Sequence, residues 1–366
     1  MLHGLLEMGG RLGILTLGDL FEAVRARSRP HFGKIRLTDH LPHAPGVYMF
    51  RATDGRVLYV GKAVDLRARA KSYFYGDGRK KIEDLLAETA SVQGIECRSE
   101  VEALALEARL IGEHEPKYNR RGKTWRRYAY LKIDPSEAFP RIKVVHEARA
   151  TGTFLGPFRS SLRARLAKDA LEEAFPIRRC TRPMRASTRF SPCALAELGK
   201  CTAPCDGRIA PERYGELVRT LIASLSSPGG LLEALEQRMT RLAAAERYEE
   251  AGVARDRLQA LAEAIHRNRA EAWLAGSERV VVRDAAGAEL RLRGGSLEIA
   301  GAATERIGLP VPRGRADELV AVRGWLARNP PRLEDADPPL SEPVDGGAAL
   351  ARILAVTRAA LRQEPG

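Results

Sequence analysis

Several side chains in the first third of this chain have the types and spacing to act on a phosphate ester. Tyr48 and Tyr59 stand in short β-rich runs bordered by glycine, Gly46-Val47-Tyr48 and Tyr59-Val60-Gly61. Alone they say little, because half-buried tyrosines are ordinary strand residues. Lys62, Arg69 and Tyr73 follow at spacings of seven and four, which on a helix lines one stripe beside the second tyrosine. An ammonium, a guanidinium and phenols converging on one surface suit a phosphodiester, whose transition state gathers negative charge. A solvated basic face carries the same pattern. Glu107 separates the two readings: its helical neighbours are Leu104, Leu110 and Ile111, so its carboxylate lies along an apolar stripe. Burying an unpaired carboxylate is costly. Either an arginine partner such as Arg109 or Arg69 offsets that cost, or a divalent cation held by one Glu, waters and a substrate phosphate, as Mg²⁺ often is.

Further along, Arg120, Arg121, Lys123, Trp125, Arg126, Arg127 and Tyr128 interleave cations with aromatic rings, a mixture suited to tracking phosphates while stacking on an unpaired base. Lys71, Arg79, Lys80 and Lys117 are further candidate DNA contacts. Cys180, Cys193, Cys201 and Cys205 are separated by twelve, seven and three residues. Four thiols in one segment suggest metal coordination; Cys₄ ligation suits zinc or an iron–sulfur cluster, and the spacing does not choose. Cys97 stands apart and reads as a core thiol.

In order over about 80 residues, these positions and Pro116-Lys117-Tyr118-Asn119 resemble the GIY-YIG nuclease domain of the UvrC/Cho family, with valine for isoleucine in both signature triplets. The resemblance implies that Tyr59 is the general base acting on water, or relays its proton, with Lys62 lowering the phenol's pKa. Tyr48 and Tyr73 would position water and phosphate, Arg69 would contact the phosphate near the leaving group, Glu107 would bind one Mg²⁺ or Mn²⁺, and Asn119 would brace the site. FLGPFRSS and CTAPCDGRI resemble the segment that follows this nuclease and favour [4Fe–4S] at the cysteines, with Zn²⁺ the alternative. Residues 231–267 resemble a UVR motif, the helical hairpin that meets a UvrB-like helicase, with Tyr248, Ala251, Ala254, Leu258 and Leu261 as its contact or packing stripe. The basic run at 120–128 departs from the acidic and aromatic residues expected there. The 99 residues after Arg267 are too few for the second nuclease and helix-hairpin-helix modules of UvrC, which points to one-nuclease Cho-like homologues or the actinobacterial exonuclease-fused proteins. Residues 13–45 resemble the connector of that fusion.

These residues need a scaffold. VYMF and VLYV around Asp54-Gly55 predict a hairpin, and apolar spacing predicts helices over 62–73 and 101–113. The fold class is α+β: a small mixed or antiparallel sheet flanked by helices, then a Cys-rich domain, a helical hairpin and a small α+β C-terminal domain. The expected boundaries are an N-terminal helix and linker (1–36), the GIY-YIG domain (37–134), the Cys-rich metal- and DNA-binding domain (135–225), the hairpin (231–267), interrupted near Gly252 or folded back on itself, and a C-terminal domain of unassigned role (268–366).

Sixty Lys and Arg against 47 Asp and Glu leave a net charge of +13 over 366 residues, a surplus that attracts polyanions. No run reaches ~18 uncharged apolar residues and the N-terminus lacks secretory-signal order, so a soluble, cytoplasmic protein is expected; its oligomeric state stays open, with a monomer as the default. The leading reading is a structure-specific DNA endonuclease of nucleotide excision repair that nicks one strand near a lesion, on the 3′ side by the resemblance, after recruitment by a UvrB-like partner. Two rivals stand beside it: a non-catalytic DNA-binding adaptor, and a site-specific GIY-YIG endonuclease.

Overall fold

The computed structural model describes Thr16 and residues 31–75, 79–119, 128–148, 151–308, 311–340 and 345–363, the side chains of 313 and 356–363 excepted. The expected N-terminal helix at 19–24 lies outside these residues. The described chain forms two compact units, one from Met1–Trp125, Ser277–Ile307 and Gly314–Asp337, the other from Arg126–Gly276, Gly308–Arg313 and Pro338–Gly366.

In the first unit, β1 (Gly46–Arg51), β2 (Val57–Ala63) and β3 (Ser91–Glu96) form an antiparallel sheet in the order β2-β1-β3. The hairpin closes where expected: Gly55 takes a positive φ of 83° and the Asp54 carboxylate accepts from the Arg56 amide at 3.0 Å. Central β1 is buried on both faces, so its residues are apolar without alternation. Helices α1 (Leu66–Tyr75), α2 (Lys80–Glu88) and α3 (Glu100–His114) follow. Tyr48, Phe50, Leu58, Leu66, Ala70 and Leu85 are the centre of this core. Lys34 donates to the carbonyls of Leu86, Ala87 and Thr89 at 2.8–2.9 Å, capping α2 and tying residues 32–38 to the unit. The unit therefore begins before the expected boundary at 37.

Two other boundaries also differ from expectation. β4 (Ala129–Ile133) pairs with β5 (Lys143–Val145) and β6 (Thr153–Phe158) in the second unit, so residues 129–133 leave the nuclease domain in which the sequence placed them. That unit continues through α4 (Ser161–Ala174), α5 (Pro211–Ser226), α6 (Gly229–Ala244) and α7 (Tyr248–Gly276). The break between α6 and α7 falls at Glu246, with φ 60°, while Gly252 sits inside α7. The last 99 residues are not one domain. β7 (Arg279–Arg283), β8 (Glu289–Arg293), β9 (Ser296–Leu297), α8 (Ala316–Arg328) and β10 (Arg332–Asp337) join the first unit, and α9 (Gly347–Gln363) joins the second. Among the described residues no helix is long and apolar enough to cross a membrane.

Candidate active site

Register explains the glycine borders of the two tyrosine strands. Tyr48 on β1 lies opposite Gly61 on β2, and a Cβ at position 61 would collide with the Tyr48 hydroxyl and ring. Only glycine lets the phenol cross β2 there. The Tyr48 and Tyr73 hydroxyls share a hydrogen bond of 2.8 Å, and the Tyr59 ring lies 5.7 Å from that of Tyr73, so three phenols from two strands and α1 form one string. At its far end the Arg69 guanidinium lies 5.4 Å from the centroid of the Tyr73 ring and acts electrostatically on the Tyr48 hydroxyl.

Burial dominates the acidity of these phenols. It pushes Tyr48 up to about 12, the neighbouring Tyr59 adding to the effect while Tyr73 and Arg69 oppose it. Tyr59 and Tyr73 are raised further, Tyr59 first by burial, then by Tyr73 and the nearby Glu107 carboxylate. The expectation that Lys62 lowers the Tyr59 pKa is therefore corrected. Arg69 is the cation that acts on that phenol, and it does not outweigh burial. Lys62 is on β2, not on a helical stripe with Arg69 and Tyr73; its ammonium lies 3.7 Å from Glu100 and its backbone amide donates to Glu107.

Glu107 rides on α3, whose start is fixed by Ser99 accepting from the Glu102 amide at 3.2 Å and Glu102 accepting from the Arg98 amide at 2.7 Å. Its carboxylate accepts the Lys62 amide at 3.3 Å, and burial raises its pKa against the Lys62 amide and ammonium. No ion pair to Glu107 forms among the described residues. Arg109, weighed from sequence as its partner, is turned to the other side of α3, where it is buried against Glu318 at 2.8 Å. Arg69 is occupied by the phenols. A half-buried carboxylate with one long hydrogen bond and no ion pair among the described residues, beside a phenol string, is a donor set that fits a hard divalent cation. Asn119 is buried and grips one strand residue twice: its carbonyl accepts the Val60 amide at 2.9 Å and its amide donates to the Val60 carbonyl at 2.8 Å.

The remaining predicted contacts separate. Lys71 pairs with Asp39 at 3.1 Å and Lys117 with Glu88 at 2.5 Å, so both are partly neutralised, whereas Arg79 and Lys80 are exposed. Arg120, Arg121, Lys123, Trp125, Arg126 and Arg127 lie outside the described residues. Cys180, Cys193 and Cys205 all act electrostatically on Cys201, so the four thiols share one neighbourhood; burial raises Cys201 and Cys205. Among the described residues, however, no three His, Cys, Asp or Glu side chains are disposed to hold a metal, so a ligating arrangement of the cysteines is not present. Cys97 is buried, with its pKa pushed up to about 11 by desolvation. On the hairpin, Tyr248 is 68% exposed, but Ala251 and Ala254 pack with Leu242 between α6 and α7, and Leu258 and Leu261 enter the main core. Of the expected contact or packing stripe, the alanines therefore pack within the hairpin and the leucines against the main core, which leaves Tyr248 as its exposed member. Val253, 47% exposed and overlooked in the sequence, is a second exposed apolar side chain on α7.

Three family models match in series: the UvrC-like GIY-YIG domain over residues 44–120, the UvrC/Cho excinuclease middle domain over 128–224, and the UvrB/uvrC motif over 229–264. The chain belongs to the UvrC/Cho family. UvrABC system protein C of Syntrophus aciditrophicus is 38% identical over 234 residues, 63% of this chain and 38% of that protein. A putative bifunctional exonuclease/endonuclease of Mycobacterium tuberculosis is 33% identical over 358 residues, 89% of this chain and 54% of that protein. The chain thus spans about half, or less, of these curated relatives. The magnesium-bound GIY-YIG N-terminal endonuclease domain of UvrC from Thermotoga maritima is 38% identical, covering 24% of this chain and 96% of that domain, with a TM-score of 0.22. The start of the UvrC/Cho middle-domain match at 128 agrees with β4 belonging to the second unit.

Proposed function

We propose that this chain is a structure-specific DNA endonuclease of nucleotide excision repair, hydrolysing one phosphodiester near a lesion, on its 3′ side, with Mg²⁺ or Mn²⁺ at Glu107. The observation that carries this reading is the Glu107 carboxylate, half-buried, in no ion pair among the described residues, and close enough to Tyr59 to raise its pKa. When bound, a divalent cation polarises the phosphate and makes its water more acidic. The protein's own part is to orient and to move a proton. Arg69, at the open end of the phenol string, offers a phosphate oxygen a charge-assisted donor. Tyr59, the one of the three phenols that is not buried, orients the attacking water, takes up its proton and releases its own to bulk water, while Tyr73 and Tyr48 hold the ring in place; with all three pKa values raised, Tyr59 works as a relay rather than as a standing phenolate. Asn119 keeps the strand that carries Tyr59 in register. The hairpin, with Tyr248 and Val253 outward, is the docking surface for a UvrB-like helicase.

The test is incision of a lesion-containing duplex by the full chain with a UvrB-like partner. Nicking is expected with Mg²⁺ or Mn²⁺ and none after chelation; binding without nicking under every cation would leave an adaptor instead.

The same proposal extends to the cysteines. Four of the five cysteines fall within one neighbourhood, and four thiols are the donor set of zinc or of a [4Fe–4S] cluster. Anaerobic purification is expected to yield either the visible charge-transfer band of [4Fe–4S] or stoichiometric zinc, lost when Cys201 becomes serine. Protein free of both refutes this part of the reading.

A further inference from the structure

The second unit contains a cleft of about 470 Å³ between residues 137–143 and residues 178–186. One buried arginine builds it. Arg178, 4% exposed, donates to the Phe139 carbonyl at 2.6 Å on one wall and to the Cys180 and Arg182 carbonyls at 3.1 and 3.0 Å on the other. The Arg178 amide in turn donates to the buried Tyr214 hydroxyl at 2.9 Å, which donates to the Pro140 carbonyl at 2.8 Å. The two walls are therefore fixed before any ligand arrives.

The lining is strongly one-signed. Arg141, Lys143, Arg178, Arg182 and Arg185 face a single acid, Glu137, which already serves Lys143 and Arg178. Among the described residues the Arg141 and Arg185 side chains have no hydrogen bond or ion pair, and Arg182 stacks 5.1 Å from the centroid of the Phe190 ring. Guanidinium groups concentrated in one cleft without counter-charges repel one another, and a polyanion relieves that repulsion. Their planar forks match phosphate oxygens. Pro183, Met184 and Ala186 give the same cleft an apolar side on which a sugar or base can lie.

We propose that this cleft binds the sugar–phosphate backbone of a nucleic-acid strand, with Arg141, Arg182 and Arg185 as its phosphate contacts. It adds a strand-binding site in the middle domain to the nuclease reading, on which it rests only for the class of ligand.

The experiment is fluorescence anisotropy of a labelled oligonucleotide with the full chain across a salt series, without divalent cation. Binding is thus read separately from nicking, and a chain that never nicks still tests the cleft. Each phosphate contact contributes about 0.9 to the slope of log affinity against log salt on duplex and about 0.7 on a single strand. Arg141→Ala with Arg185→Ala is expected to flatten the slope by about 1.8 or about 1.4, uniformly across sequences, and Arg141→Lys with Arg185→Lys to restore most of it. Both side chains project from the surface of the cleft and hold none of the fold, so an unchanged slope overturns the proposal. Excess deoxynucleoside monophosphate, or inorganic phosphate, is the other arm. Displacement of the oligonucleotide from the wild type, but not from the double variant, by millimolar mononucleotide would make the cleft a nucleotide pocket and overturn the strand assignment.

Discussion

Glu107→Gln is expected to lower cation-dependent nicking by about three orders of magnitude and to leave the protein folded. Glutamine has the same shape and keeps a carbonyl to accept the Lys62 amide, so the one hydrogen bond of this side chain survives. What disappears is the charge that holds the cation, and a cation that polarises the phosphate is worth several kcal/mol in the transition state, or roughly 10³ in rate. The stability effect runs the other way. Burial raises the Glu107 pKa above its ordinary value, so the stability this group contributes is present below the unfolded pKa and is lost as pH rises through the folded pKa. At neutral pH the wild-type protein, stripped of cation, therefore carries an unfavourable carboxylate that the amide lacks. The cation-free variant should melt at or above the wild-type temperature, with the difference shrinking toward pH 4. Single-turnover nicking and cation-free thermal melts read the two effects separately. A variant that cuts at the wild-type rate removes the cation from Glu107, and one that unfolds shows that the carboxylate has a structural partner.

The parts of this site that sequence reveals are those written locally. Asp54-Gly55 sets the hairpin, and the apolar stripe around Glu107 marks a carboxylate that points inward, because a turn type and a helical period are both fixed by neighbours within a few positions. Lys62 misled for the same reason. Its spacing to Arg69 and Tyr73 fits a helix, but β2 runs to Ala63 and pairs with β1, and strand pairing overrides a local period. The acidity of Tyr59 was illegible too, since it depends on burial among Phe50, Tyr73 and Tyr48, which only the assembled core provides. β10 was missed because Arg332–Asp337 is exposed and charge-rich after two prolines, with no apolar alternation; it pairs with β7 through ladder hydrogen bonds and ion pairs such as Arg283 with Glu334 at 2.6 Å. Nor does any spacing announce that Arg109 and Glu318, 209 positions apart, meet.

That meeting carries the second large effect. Arg109 spends its guanidinium on the second half of the unit: it donates to Glu318 at 2.8 Å, to the Leu297 carbonyl at 2.6 Å, to the Ala303 carbonyl at 2.6 Å and to Ser296 at 3.2 Å. Glu318, fully buried, also accepts from Arg315 at 2.7 Å. One turn along α3, Gly112 lies against the backbone of Gly314 so closely that a Cβ would collide with it. Removing one member of a buried pair costs about 3–5 kcal/mol, because the other charge is left without compensation. Arg109→Met should fall near the lower end, since Arg315 still pairs with Glu318. Glu318→Leu should fall near the upper end or beyond it, since it strands two guanidiniums. In the double variant the losses should be far from additive, as both halves of the pair are gone. Two units make a single unfolding free energy ill-defined, so the reading is hydrogen exchange of the α3 amides in the full chain. Because Glu107 and Arg109 lie two residues apart on opposite sides of one helix, lost protection in α3 should bring lost cation-dependent nicking with it. Loosened α3 amides with undiminished nicking would mean that the β7–β10 and α8 module is held to the nuclease without steadying its metal-binding carboxylate.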